Sequence, residues 1–126
     1  MKPHRHSLYR TFANAAAGVV HAFKTERNMK IHAAAALMVF IAAALLQLDL
    51  IRWLFLLLAV GLVFTAELIN TAIEAVVDLV SPQVHPYARI AKDTAAGAVL
   101  VAAIVAVGIG IGVFYEPIRG WIGSLL

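Results

Sequence analysis

Four residues in one short stretch have the types and spacing that chemistry requires: Glu67, Asn70, Glu74 and Asp78. At 100° per residue they fall within an arc of about 80° on one helix face. Three carboxylates and an amide thus make a narrow polar stripe in a segment otherwise rich in Leu, Ile, Val, Ala and Phe. A charged carboxylate at the centre of a bilayer costs roughly 2.5–3.5 kcal/mol on insertion scales, so such a stripe needs a reason. Clustered carboxylates with a lysine and an amide, at a water–lipid boundary, suit a hard divalent cation bound to phosphates. Magnesium prefers one or two protein carboxylates together with substrate oxygens. A carboxylate set slightly deeper, as Glu67 is, suits a general base that meets a lipid headgroup. Glu74 and Asp78 would meet a water-soluble phosphate donor.

The elements that must position these groups follow from composition. The chain has 126 residues, of which 63% are apolar and 13% charged; soluble domains average about 45–50% apolar. Lipid is therefore the expected solvent, for one domain spanning 1–126. There is no cysteine, which excludes disulfides, thiolate metal sites and cysteine nucleophiles. Six of the ten basic residues lie in an arm over 1–30: Lys2, Arg5, Arg10, Lys24, Arg27 and Lys30. In that arm Leu8, Phe12, Ala15, Val19 and Phe23 recur at helical spacing, which predicts an amphipathic helix lying in the interface plane. A soluble helix packed on a partner is the alternative.

Three membrane spans are expected, at about 31–48, 52–78 and 94–115, each with enough apolar length to cross the hydrocarbon. The charged leader is too long for an ordinary signal peptide. Ser81-Pro82 and His85-Pro86 predict a loop over 79–91, and 116–126 reads as a short tail. The glycines of the third span, Gly97, Gly108, Gly110 and Gly112, suit close helix approach. The positive-inside rule puts the basic arm and the Arg89/Lys92 loop in the cytoplasm. Glu26, Glu67, Glu74, Asp78, His85, Arg89, Lys92 and Asp93 then gather near one membrane face, from three segments. His32 and His21 read as interfacial residues. Glu67 and Asn70 could equally be buried structural hydrogen bonders, with Glu74 and Asp78 an ordinary solvated helix end. A small ion-coupled transporter subunit and a non-catalytic assembly subunit remain open. No phosphate-loop or protein-kinase motif is present.

Three segments carry a resemblance: Glu26-Arg-Asn-Met-Lys-Ile-His32, Glu67-Leu-Ile-Asn-Thr-Ala-Ile-Glu-Ala-Val-Val-Asp78 and Ala91-Lys-Asp-Thr-Ala-Ala-Gly-Ala-Val99. Together they closely resemble the bacterial integral-membrane diacylglycerol kinase/undecaprenol kinase family. The resemblance implies an all-α membrane protein, an amphipathic surface helix plus three transmembrane helices, assembled as a homotrimer with shared sites. It implies direct transfer from MgATP to a lipid hydroxyl, with ATP and Mg2+ as the small partners and no nucleic acid. Glu67 would be the base and Asn70 its helper. Glu26 and Glu74 would hold the metal. Lys92, Asp93 and Asp78 would face the nucleotide, with His85 and Asn14 as further contacts. The wording of the segments is similar to the Gram-positive branch, whose members mainly phosphorylate undecaprenol. Proteobacterial members, which prefer diacylglycerol, usually carry a glutamate at the position of His32.

Overall fold

The computed structural model describes residues 7–126, and Lys2 and Arg5 of the basic arm lie outside the described residues. Those residues form four helices and no strand: α1 (Leu8–Thr25), α2 (Arg27–Leu45), α3 (Leu50–Val80) and α4 (Pro86–Leu125). Helices α2, α3 and α4 are each long and apolar enough to cross a membrane, because the helix satisfies every backbone donor and acceptor within itself. The protein is a multi-pass membrane protein.

Local signals set each boundary. The Ser7 hydroxyl caps α1 by accepting from the Arg10 N–H. Glu26 is extended (φ −93°, ψ 118°) and serves as the last cap of α1 and the first of α2. A single residue therefore turns the surface helix into the first span, and α2 begins four residues before the expected span start. Gln47 adopts a left-handed conformation (φ 53°). The Leu48 N–H donates to Ala43 O and the Gln47 N–H to Ala44 O, closing a Schellman motif with glutamine where glycine is usual. Asp49 then caps α3, accepting from the Arg52 N–H at 2.9 Å and from Arg52 Nη1 at 2.6 Å. The Arg52 backbone N–H, seconded by its guanidinium, holds the Asp49 carboxyl below the ordinary carboxylate value against a smaller opposing effect of burial.

Two expectations are corrected. The loop is 81–85, shorter than 79–91, because Pro86 opens α4 at the position where a proline's missing N–H costs nothing and His85 Nδ1 accepts from the Tyr87 N–H at 3.2 Å. The expected tail, 116–126, is instead helical to Leu125 and runs through Pro117. Proline can be carried inside a long membrane helix where its surroundings compensate for the freed carbonyl.

Helix α3 is the centre of the molecule. It packs along α4 as an antiparallel hairpin and carries α2 on another side, whereas α2 and α4 make no close backbone approach and meet through side chains alone. Small side chains make these contacts: Ala36, Ala43, Ala59, Ala95 and Ala102 are buried, which allows close approach in lipid. At one end Ala43, Leu56 and Val113 form a cluster beside the stacked rings of Phe40 and Trp53, 5.7 Å apart. At the other, Phe23 of α1 meets Phe64 of α3 at 5.5 Å and Ala22 is buried. The rest of the α1 apolar stripe, including Leu8, Phe12 and Val19, is exposed, as an interfacial helix requires.

Candidate active site

The second half of α3 brings the polar stripe against α2 and α4. Glu67 is 1% exposed and is among the most fully buried side chains in the described residues. Facing it across the α2–α3 contact is His32, with Nε2 3.1 Å from Glu67 Oε1. The two atoms are within ion-pair distance but lie off the line of a hydrogen bond, so among the described residues Oε1 has no aligned donor. One turn further, Asn70 is buried and its Nδ2 donates to Glu74 Oε1 at 3.4 Å. Its Oδ1 is buried without a donor. The Thr71 hydroxyl donates to the Glu67 backbone carbonyl at 3.0 Å, occupying a threonine that would otherwise be an unpaired polar group in an apolar helix.

Another turn out, Asp78 Oδ1 lies 2.6 Å from Lys92 Nζ. This is the one ion pair between α3 and α4 among the described residues, and it pins the end of the hairpin. Asp93 pairs instead with Arg89 on its own helix, at 3.6 Å, with both side chains largely exposed. His85 caps α4 and stacks on Tyr87, ring centroids 5.9 Å apart. Asn14 lies exposed on α1, and Glu26 is half-buried at the α1–α2 break with no side-chain capping bond.

The expected residues thus meet in pairs: Asn70 with Glu74, and Asp78 with Lys92. Among the described residues no contact draws Asn14, His85 or Asp93 onto these pairs. Glu26 and Glu74 are related by depth. Glu26 precedes His32 by six residues and Glu74 follows Glu67 by seven. At 1.5 Å per residue on antiparallel helices, both lie about 9–10 Å from the His32–Glu67 contact, in the same direction. Among the described residues no group of three His, Asp or Glu side chains forms a metal-ligand set. The available donors are all oxygen, namely carboxylates and the free Asn70 Oδ1, which fits a hard cation that draws its remaining ligands from phosphate and water.

His32 was the residue that sequence reasoning undervalued. The signal for it was present: it is the one ionisable side chain within the first expected span, as Glu67 is within the lipid-immersed part of the second. Polar groups at membrane depth seek one another.

With this geometry in hand, the chain was compared with known proteins. The family model for prokaryotic diacylglycerol kinase matches residues 13–114. The undecaprenol kinase of Bacillus subtilis (strain 168) is 44% identical over 116 residues, which cover 90% of this chain and 94% of that protein. A diacylglycerol kinase from Synechocystis is 50% identical over 105 residues, covering 82% of this chain and 60% of the relative. The diacylglycerol kinase of Escherichia coli (strain K12) is 38% identical over 90 residues, covering 71% and 74%.

Proposed function

Because the chain belongs to the prokaryotic diacylglycerol kinase family, we propose that it phosphorylates undecaprenol at the cytoplasmic face of the membrane, with ATP as donor. The observation that carries the mechanism is the buried carboxylate of Glu67, whose Oε1 has no aligned donor. An unsatisfied acceptor at that depth is what an alcohol dissolved in lipid would meet with its O–H. The extensive match to the Bacillus undecaprenol kinase favours a polyprenol as that alcohol. Diacylglycerol is the second reading, supported by the 50% identity of the Synechocystis relative.

In this account the lipid O–H donates to Glu67, which takes its proton as the alcohol oxygen attacks the γ-phosphorus of ATP. The bond from the γ-phosphorus to the bridging oxygen breaks, and ADP leaves with that oxygen. His32 holds the Glu67 carboxylate from the α2 side, and Asn70 orients Glu74 through its amide. Glu26 and Glu74, at one depth, are the residues that would hold Mg2+, which when bound supplies charge neutralisation to the phosphates. Lys92 provides a positive contact for the phosphates, and Asp78 holds its ammonium in place. Asp93, His85 and Asn14 line the approach of the nucleotide. Little covalent chemistry is asked of the protein, since in-line phosphoryl transfer depends mainly on positioning and charge.

Orientation follows from charge: Arg10, Lys24, Arg27, Lys30, Arg89 and Lys92 lie at one end of the spans, the end expected in the cytoplasm. A homotrimer with shared sites would supply contacts that Asn14, His85 and Asp93 lack within one chain. Native mass spectrometry should give three chains per particle, and a monomer would contradict the shared site. The functional test uses purified protein in vesicles holding equal amounts of undecaprenol and diacylglycerol, with γ-labelled ATP. Label is expected mainly in undecaprenyl phosphate. Label mainly in phosphatidic acid would establish the second reading, and label in neither lipid would contradict both.

A further inference from the structure

Since α2 and α4 both lean on α3 without close backbone approach to each other, a groove runs between them, floored by α3 over its near part. Two cavities occupy it. One, of about 280 Å³, is lined by all three helices and ends at His32. The other, of about 740 Å³, lies between α2 and α4 and extends to Ile122. They share Val39, Gly110 and Phe114 as lining residues, so they adjoin along the groove. His32 and Arg119, at opposite ends, are its only basic side chains, and it has no acidic one. From Ala103 to Ile122 the α4 wall covers 19 residue steps, about 28 Å at 1.5 Å per residue. That is close to the hydrocarbon thickness of about 30 Å.

We propose that this groove holds the isoprenoid tail of the acceptor alcohol and selects for long polyprenols, with Gly110 as the point where the tail passes from the near cavity to the far one. The proposal rests on the lipid-kinase reading and deepens it. The occupant is set by where the groove begins. His32 lies 3.1 Å from the buried Glu67 carboxylate, so an alcohol bonded to Glu67 has its tail at the mouth of the passage. An acyl chain stays within its own leaflet, about 15 Å, and would fill only the near part. A polyprenyl tail long enough to cross the bilayer would fill the whole.

Gly110 offers a clean test. A Cβ built there meets no atom within 4 Å, so a larger side chain has open space to enter rather than a helix to collide with. Replacing a helical glycine also favours the helix. Gly108, two residues earlier, is equally free of neighbours and lines neither cavity, which makes Gly108→Leu the control.

The experiment compares the full-length native protein, Gly110→Leu and Gly108→Leu in mixed micelles with γ-labelled ATP. The acceptors are geraniol, farnesol, geranylgeraniol and undecaprenol. The distance along α4 from Ala103 to Gly110 is about 10 Å, so tails longer than this should meet the new side chain. The defect of Gly110→Leu in kcat/KM is expected to grow with tail length, from under twofold for geraniol to at least tenfold for undecaprenol, mainly through KM. Gly108→Leu should be flat across the series. A Gly110→Leu defect that is absent, or equal for every length, would overturn the proposal. So would loss of the oligomer with all alcohols affected alike, which would assign the groove to a second copy of the chain. Failure of the native protein to label any of these alcohols would instead contradict the polyprenol reading itself.

Discussion

Glu67 sits where a carboxylate is expensive, and the arrangement around it reduces the cost without removing its reactivity. His32 faces Oε1 from α2, and Asn70, one turn on, ties itself to Glu74 rather than to Glu67. The carboxylate is thus flanked but not fully satisfied, which leaves the acceptor that the proposed mechanism offers to the substrate alcohol. Glu74 is placed differently. It is half-buried and receives the Asn70 amide, so one carboxylate oxygen is oriented while the side chain remains within reach of water. Replacing it by glutamine keeps the size and removes the charge that a divalent cation requires. Glu74→Gln should therefore need at least tenfold more magnesium for half-maximal activity, or be inactive at any concentration. A magnesium titration that superimposes on that of the native protein would remove Glu74 from the metal site.

At the scale of helices, the architecture depends on small residues permitting close approach. Ala43 is fully buried, against Leu56 and Val113, so it has no room to grow. Ala43→Leu should overpack this junction and cost about 1–3 kcal/mol, measured by reversible unfolding in mixed detergent micelles. An unchanged unfolding curve would show the junction to be looser than described. The four helices and their order were legible because apolar length and helical spacing are local properties. The stripe Glu67, Asn70, Glu74 and Asp78 was legible for the same reason, since one helix carries it. What was not legible came from long-range or context-dependent contacts. Pro86 looked like a breaker but begins a helix, and the tail expected over 116–126 is helical through Pro117. The partner of Glu67 was hidden because the α2–α3 register pairs residues 32 and 67, and no local pattern encodes that register. The break at Glu26 was missed because one extended residue between two helices leaves no composition change behind it.

For the whole molecule, the decisive feature is depth. Six residues on α2 and seven on α3 separate the His32–Glu67 contact from Glu26 and Glu74, and Asp78–Lys92 lies a turn beyond. The stripe from Glu67 to Asp78 covers 11 residue steps, about 16 Å along the helix, enough to join a lipid-borne hydroxyl at one end to a water-borne nucleotide at the other under the proposed mechanism. A long α4 backs the site, and the basic ends of α1, α2 and α4 hold that face at the membrane surface. The central claim is that Glu67 accepts the proton of the lipid alcohol at this boundary. It is tested most directly by single-turnover phosphate transfer in Glu67→Gln, alongside ATP binding by the same preparation. Loss of a positioned general base is expected to slow transfer by about 10²–10⁴-fold with ATP affinity unchanged. Transfer within a few-fold of the native rate would contradict it.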